Sequence, residues 1–414
     1  MENLNELTIG DFTNIFNYLL DNNKRLYEEG QTPIAIGIEG EAGIGKSSVI
    51  EQIAKKRGMT FCKLNLAELE EVGDLTGFPQ KEVLLEWKGK DGNIKTKWYS
   101  ENMLNRVPSN VKITSKTRMS YAPPAWLPTE ENANGLILCL DDFSRSNALF
   151  MQATMELINT GKYVSWELPK NTSVVLTSNP DDGNYSVSSL DNAQKTRFIN
   201  FNLKLNINDW ASWAESVSLD SRCINFALMY GDEIFAKHNN VQVANPRAYT
   251  TFCKAIEGID NWNDPNSLSM IINISKGCFL EDKDNSIGNL FTMFLSKHLD
   301  KLVTPKDMLE QSWNVIEPII YECVYDIIDG NPVYKPEVAS ILSTRFLNYL
   351  MIYLGKKGSD CNKVQTRLLD FIDNKRKLFS EDLLFHIIKN IVAKYPNKAT
   401  KLLSNPLIRN KVII

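Results

Sequence analysis

Residues 40 to 48 read Gly-Glu-Ala-Gly-Ile-Gly-Lys-Ser-Ser, GEAGIGKSS, and the fold turns on what this stretch is. Ahead of it runs Ile34-Ala35-Ile36-Gly37-Ile38-Glu39, a short apolar segment with β-branched residues, the pattern of a buried strand. Behind it, Ser48 to Lys56 carries Val49, Ile50, Ile53 and Ala54 at helical spacing on one face. Strand, glycine-rich turn and helix therefore follow one another.

That order gives the G-x-x-x-x-G-K-[ST] match at Gly40, Gly45, Lys46 and Ser47 its meaning as a phosphate-binding P-loop. Glycines, with an extra one at Gly43, let the backbone turn so that several N–H groups point at phosphate oxygens, and Glu41, Ala42, Ile44 and Ser48 are expected among the residues that bind the nucleotide. The helix N-terminus adds a favourable dipole. Lys46 is placed to reach the β- and γ-phosphates, and Ser47 to ligate Mg²⁺ through its hydroxyl.

A second apolar run, Gly135-Leu-Ile-Leu-Cys-Leu140, closes on Asp141 and Asp142. A strand buried on both faces that delivers carboxylates at its C-terminal end has the form of a Walker B strand. Asp141 is expected to hold the water shell of Mg²⁺ and Asp142 to polarise the attacking water; the alternative is a pair of acids capping the helix that starts near Ser146. A third run, Ser173-Val-Val-Leu-Thr-Ser178, ends in Asn179-Pro180. Its amide is suited to sensing a γ-phosphate, although asparagine before proline also starts ordinary turns.

Taken together, GEAGIGKSS, VGDLTGFP (72–79), YAPPAWLP (121–128), LILCLDDFSRSNALFMQATMELI (136–158), VVLTSNPDDGNYSVSSLDNAQKTRF (174–198) and ANPRAY (244–249) resemble an AAA+ ATPase of the MoxR-like, dynein-related branch. The resemblance spans about residues 8 to 309 in family order. It implies an α/β P-loop NTPase core with a parallel five-stranded sheet, then a helical lid, with ATP and Mg²⁺ as cofactors. It implies Lys46 and Ser47 as Walker A, Asp141 and Asp142 as Walker B, and Asn179 as sensor 1. Arg197 falls at the arginine finger, supplied to a neighbouring subunit, and Arg247 at sensor 2. A finger arginine implies a ring, expected to be a homo-hexamer. A von Willebrand A-domain protein is the partner such chains resemble acting on. The usual acidic pair of the family is Asp-Glu; Asp142 is one methylene shorter, so slow turnover, or a nucleotide-bound scaffold or switch that hardly hydrolyses, stays open. Arg145 stands where the family often has an arginine, or makes a salt bridge at a helix entry.

The expected domains are 1–205 (nucleotide-binding), 206–309 (helical lid) and 310–414 (a helical C-terminal domain or lid extension), with a linker at Gly330-Asn331-Pro332. Two insertions interrupt the first. Residues 161–171 suggest a small hairpin. In 81–120, VLLEWKGK and IKTKWYS flank Asp91-Gly92-Asn93, the signature of a β-hairpin. From Lys88 to Arg118 there are eight basic residues against two acidic ones. This segment either engages an acidic protein segment or nucleic acid, with Trp87 and Trp98 as stacking groups, or is a charged hairpin guarded by lysines against edge pairing.

Composition narrows the classes. With 46 basic and 50 acidic side chains the chain has a net charge of −4, so no global cationic field favours nucleic acid, and a DNA-acting motor or loader is the less favoured alternative. The seven cysteines are scattered without a CxxC pair and the three histidines lie far apart, which points to reduced structural thiols and away from zinc. No membrane span or leader is evident in the apolar runs, and a cytoplasmic protein is expected. A metabolic kinase is disfavoured, because it has no need of an arginine after a sensor strand together with a lid arginine.

Overall fold

The computed structural model describes residues 6–89, 92–181, 185, 187–188, 191–238, 241–259, 261–262, 264–280, 286–296, 302–406 and 408–409. The chain forms two compact units, Met1–Lys204 and Leu205–Ile414.

In chain order the first unit contains β1 (Glu6–Leu7), α1 (Ile9–Glu28), β2 (Ala35–Gly40), α2 (Lys46–Arg57), β3 (Thr60–Asn65), α3 (Val72–Thr76), β4 (Pro79–Lys88), β5 (Ile94–Ser100), β6 (Lys112–Tyr121), β7 (Leu136–Asp141), α4 (Ala148–Thr160), β8 (Lys162–Tyr163), β9 (Trp166–Glu167), β10 (Thr172–Ser178), α5 (Asn192–Lys195) and β11 (Phe198–Leu203). Six of these strands make one sheet in the order β1-β11-β2-β10-β7-β3, and every pair in it is parallel. Parallel neighbours need crossovers, which the helices supply, so the central strands are covered on both faces. All six residues of β7 are buried, as are the first six of β10. Their unbroken apolar runs reflect that double covering.

The sheet has six strands where five are expected. The sixth, β1, pairs only Glu6 and Leu7 with Asn202 and Leu203 at the edge. Two residues are too few to show a period-2 pattern, so nothing local announces them.

The 81–120 insertion is larger than a hairpin. Strands β5, β4 and β6 form a separate antiparallel sheet in that order. The hairpin is present, with Gly92 at φ +80° in its turn; Asp91 lies outside the described residues. The third strand, Lys112–Tyr121, is exposed along most of its length, and its run of polar residues hides it in the sequence. The smaller hairpin is β8 with β9. Tyr121, Trp126, Tyr163 and Trp166 pack against one another at ring-centroid distances of 5.8–6.0 Å. Indole N–H groups of Trp126 and Trp166 donate to the carbonyls of Asp74 and Thr76 at 3.1 and 2.8 Å. The VGDLTGFP and YAPPAWLP stretches thus meet around one aromatic cluster.

The second unit contains α6 (Ile207–Ser216), α7 (Ser221–Ile234), β12 (Lys237–His238), β13 (Val241–Gln242), α8 (Pro246–Ile256), α9 (Pro265–Cys278), α10 (Ile287–Ser296), α11 (Pro305–Glu310), α12 (Trp313–Val324), β14 (Tyr325–Ile328), β15 (Asn331–Tyr334), α13 (Pro336–Gly355), α14 (Cys361–Asp373), α15 (Glu381–Lys394) and α16 (Thr400–Ser404). It holds two apolar clusters, one from Trp210 to Leu295 and one from Val303 to Ile408. Arg345 of α13, only 1% exposed, spans them: it pairs with Glu215 at 2.5 Å, Asn225 at 2.8 Å and Ser221 at 3.0 Å. A fully desolvated guanidinium needs this many acceptors.

Residues 310–414 are not all helical. Strands β14 and β15 form a hairpin turned at Asp329 and Gly330, both at positive φ. The Gly330-Asn331-Pro332 stretch is therefore a hairpin turn and its following strand, rather than a linker. Among the described residues one helix, Pro336–Gly355, is long and apolar enough to cross a membrane, and half of it is packed inside this unit.

Candidate functional site

The turn between β2 and α2 is built by its glycines. Gly43 and Gly45 sit at φ +79° and +102°, a region open to glycine at little cost. A Cβ on Gly40 would stand 2.7 Å from both the Leu203 carbonyl oxygen and the Ile44 side chain. Helix α2 starts at once after Gly45, with Val49 N–H donating to the Gly45 carbonyl at 2.9 Å, and Gly58 in the left-handed region closes it. Its first turn carries Lys46, Ser47 and Ser48.

Lys46 is buried, 8% exposed. Its ammonium donates to the carbonyls of Gly40 and Glu41 at 2.7 and 2.9 Å and to Asn179 Oδ1 at 3.1 Å. Three donors meet three acceptors, so the charge is held inside the loop. Ala42 N–H donates to the Tyr185 hydroxyl at 3.2 Å.

Register explains how distant acids reach this loop. Leu176 of β10 lies beside Gly37 of β2 on one side and Leu140 of β7 on the other. The three strands therefore end together, bringing Gly40, Asp141 and Asn179 to one edge. Asp141 Oδ1 accepts from the Ser47 hydroxyl and, at 2.5 Å, from Thr177 Oγ1. Its Oδ2 takes the ammonium of Lys63 at 2.6 Å. Burial alone would push the Asp141 carboxyl upward; hydrogen bonds from Lys63, Ser47 and Thr177, with the Lys63 charge, outweigh it and hold the group below the usual carboxylate range. Burial tends to lower the Lys63 ammonium, but the same carboxylate raises it.

Asp142 is in the left-handed region at φ +53°, where aspartate is tolerated better than most residues. Its N–H donates to Thr177 Oγ1 at 3.2 Å, and its carboxylate receives Asn179 Nδ2 at 3.4 Å and Arg145 at 3.7 Å. The helix α4 is capped instead by Asn147, which accepts from the N–H groups of Leu149 and Phe150. The acids are thus not its cap, and Arg145 makes the expected short-range ion pair. Asn179 is 6% exposed and joins the two halves of the site: its oxygen faces Lys46 and its NH₂ faces Asp142.

Arg197 is not brought to this edge. In β11, Leu203 lies beside Gly40, but Phe198 lies beside Ala35. Arg197 therefore sits at the opposite end of the sheet, about 20 Å of strand away, and is exposed. Arg247 is exposed in the first turn of α8 in the second unit, behind the Asn245 cap. Lys63, Thr177 and Tyr185 are site residues that the motifs miss. A lysine within the strand TFCKLN is the one available signal for Lys63.

No protein-family model matches the chain, and no curated protein matches it in sequence. Among solved structures it is similar to RuvB of Thermotoga maritima, a Holliday junction branch migration motor, at 12% identity over 79% of this chain and 94% of that one, with a TM-score of 0.36. It is also similar to NtrX of Brucella abortus in complex with ADP, at 11% identity over 87% of this chain and 65% of that one, with a TM-score of 0.34. Identity at this level transfers no residue role. By its own geometry the chain has a P-loop α/β fold whose lysine, hydroxyls, amide and carboxylates share one edge of a parallel sheet.

Proposed function

We propose that this chain is an AAA+ ATPase of the MoxR-like branch, which binds ATP at GEAGIGKSS and hydrolyses it in a homo-hexameric ring to remodel a partner protein. The observation that carries the reading is the convergence of Lys46, Ser47, Asp141, Asp142 and Asn179 at the carboxyl ends of β2, β7 and β10. Anionic ligands of open α/β sheets bind at that edge.

The residues suit the ligands. The Lys46 ammonium already rests on two loop carbonyls and an amide oxygen, weaker acceptors than a phosphate. Ser47 and Asp141 form an all-oxygen pair of the kind Mg²⁺ accepts. When bound, the ion would neutralise charge on the phosphate oxygens. Asp142 accepts a proton from, or orients, the attacking water, with Asn179 holding its carboxylate. Arg197, on the far end of β11, serves a neighbouring subunit, where an arginine fork is worth roughly 10³–10⁵ in rate. Arg247 serves as sensor 2. The partner class, a von Willebrand A-domain protein, comes from the resemblance alone.

Asp142 favours a second reading. Its shorter side chain is shared between Asn179 and Arg145, which suits a nucleotide-held switch with little turnover. ATP turnover measured against protein concentration, with oligomer mass followed alongside, separates the two. Turnover that rises with assembly and vanishes in Lys46→Ala, Asp142→Asn and Arg197→Ala supports the ring ATPase. Binding without turnover moves the switch to first place, and no nucleotide binding sinks both.

A further inference from the structure

We infer that Lys63 is a tethered counter-cation that competes with the divalent metal for Asp141 and thereby sets how much metal the site needs. The inference rests on the nucleotide-site reading above. Lys63 reaches Asp141 from β3, the strand that flanks β7, with the two strands in register from Thr60–Leu136 to Asn65–Asp141.

The arrangement uses both oxygens of the carboxylate. Oδ1 is filled by the Ser47 and Thr177 hydroxyls, and Oδ2 by the Lys63 ammonium at 2.6 Å. Asp141 is 8% exposed as a residue. Without a cation it would be an uncompensated charge in a poorly hydrated site, which is strongly destabilising. Lys63 supplies that cation from within the chain. Its own side chain is 46% exposed, so the flexible stem can release the carboxylate and return to water.

A divalent ion held by Ser47 and Asp141 then meets a like charge on the same carboxylate. Either Lys63 stays, and repels the ion, or it leaves, and gives up a 2.6 Å ion pair. Both routes weaken metal binding relative to a chain with a neutral group at this position. The phosphate cradle itself is untouched, because Lys46 takes its contacts from Gly40, Glu41 and Asn179. The effect is therefore on the metal and not on the nucleotide.

Mn²⁺ titrated into the full chain saturated with ADP, with free Mn²⁺ read by electron paramagnetic resonance, tests this directly. Lys63→Met is expected to bind Mn²⁺ about tenfold more tightly than the wild type, and Lys63→Arg to stay within about twofold of it. ADP affinity in EDTA should be the same in all three. Should Lys63→Met fail to fold, Lys63→Gln carries the same expectation. Equal or weaker Mn²⁺ binding by the neutral variant overturns the inference while leaving the nucleotide site in place. Absence of ADP binding in the wild type overturns the nucleotide-site reading itself, and the inference with it.

Discussion

The first unit holds two sheets that differ in strand direction, in burial and in what their strand ends carry. The parallel sheet buries β7 along its whole length and ends in Asp141, wired to a lysine and two hydroxyls, followed by Asp142, which Asn179 joins to a second lysine. The antiparallel sheet of β4, β5 and β6 buries Val83 and Leu85 but leaves Ile94, Ile113 and Met119 exposed. Its charges pair locally: Arg118 meets Glu82 at 2.8 Å and lies 4.6 Å over the Trp98 ring, and Lys81 meets Glu101 at 2.7 Å. The contrast teaches that strand-forming residues alone do not say where a site forms. Crossover connections, which align several strand ends at one edge, make the difference.

The strongest break of the comparison is chemical. Lys46→Ala should lower nucleotide affinity by at least about 100-fold, since a charge-assisted contact to phosphate is lost; Lys97→Ala in the antiparallel sheet should leave that affinity within about twofold. Equilibrium binding of a fluorescent ADP analogue checks both.

Stability should divide the sheets next. Leu138→Ala, at a fully buried position of β7, is expected to cost about 2–5 kcal/mol. Met119→Ala, at a residue 65% exposed on β6, should change stability by less than about 0.5 kcal/mol. Urea denaturation of the two variants, followed by tryptophan fluorescence, reads the difference.

A smaller effect follows from the carboxylate. The Asp141 carboxyl is held below its ordinary range in the folded chain, so its contribution to stability is present above the unfolded pKa of about 3.9 and lost as pH falls through the folded value. The stability difference between the wild type and Asp141→Asn should therefore be steady from pH 7 to 5 and shrink below about pH 4. Urea midpoints across that range would show no such trend if the Lys63, Ser47 and Thr177 contacts were absent in solution. Arg118→Ala should likewise cost little, since its half-exposed guanidinium makes one ion pair and one ring contact that are together worth no more than about 1 kcal/mol in the same urea denaturation.

Much of the site is legible in the order of residues along the chain. GEAGIGKSS can be read because strand, glycine turn and helix are adjacent in sequence, and each reports its own burial and period. The ends of β7 and β10 are legible for the same reason, since apolar runs closed by Asp141, Asp142 and Asn179 are local patterns. Strand β6 is not, because an exposed polar strand carries no apolar alternation. The β14–β15 hairpin escapes notice because Gly330-Asn331-Pro332 reads equally as a linker. Strand β1 is simply too short.

Sequence by itself determined the P-loop, the two carboxylates that end a buried strand, and the helical character of most of the second unit. Each of these is encoded by neighbours close together in the chain. Only the tertiary structure decided that Asn179 bridges Lys46 to Asp142, that Lys63 lies on Asp141, and that Arg197 stands at the opposite edge from the cradle. These relations join residues that are far apart in the chain, and they follow from strand order and register. Order and register are set by how whole faces pack, which no short stretch of residues records.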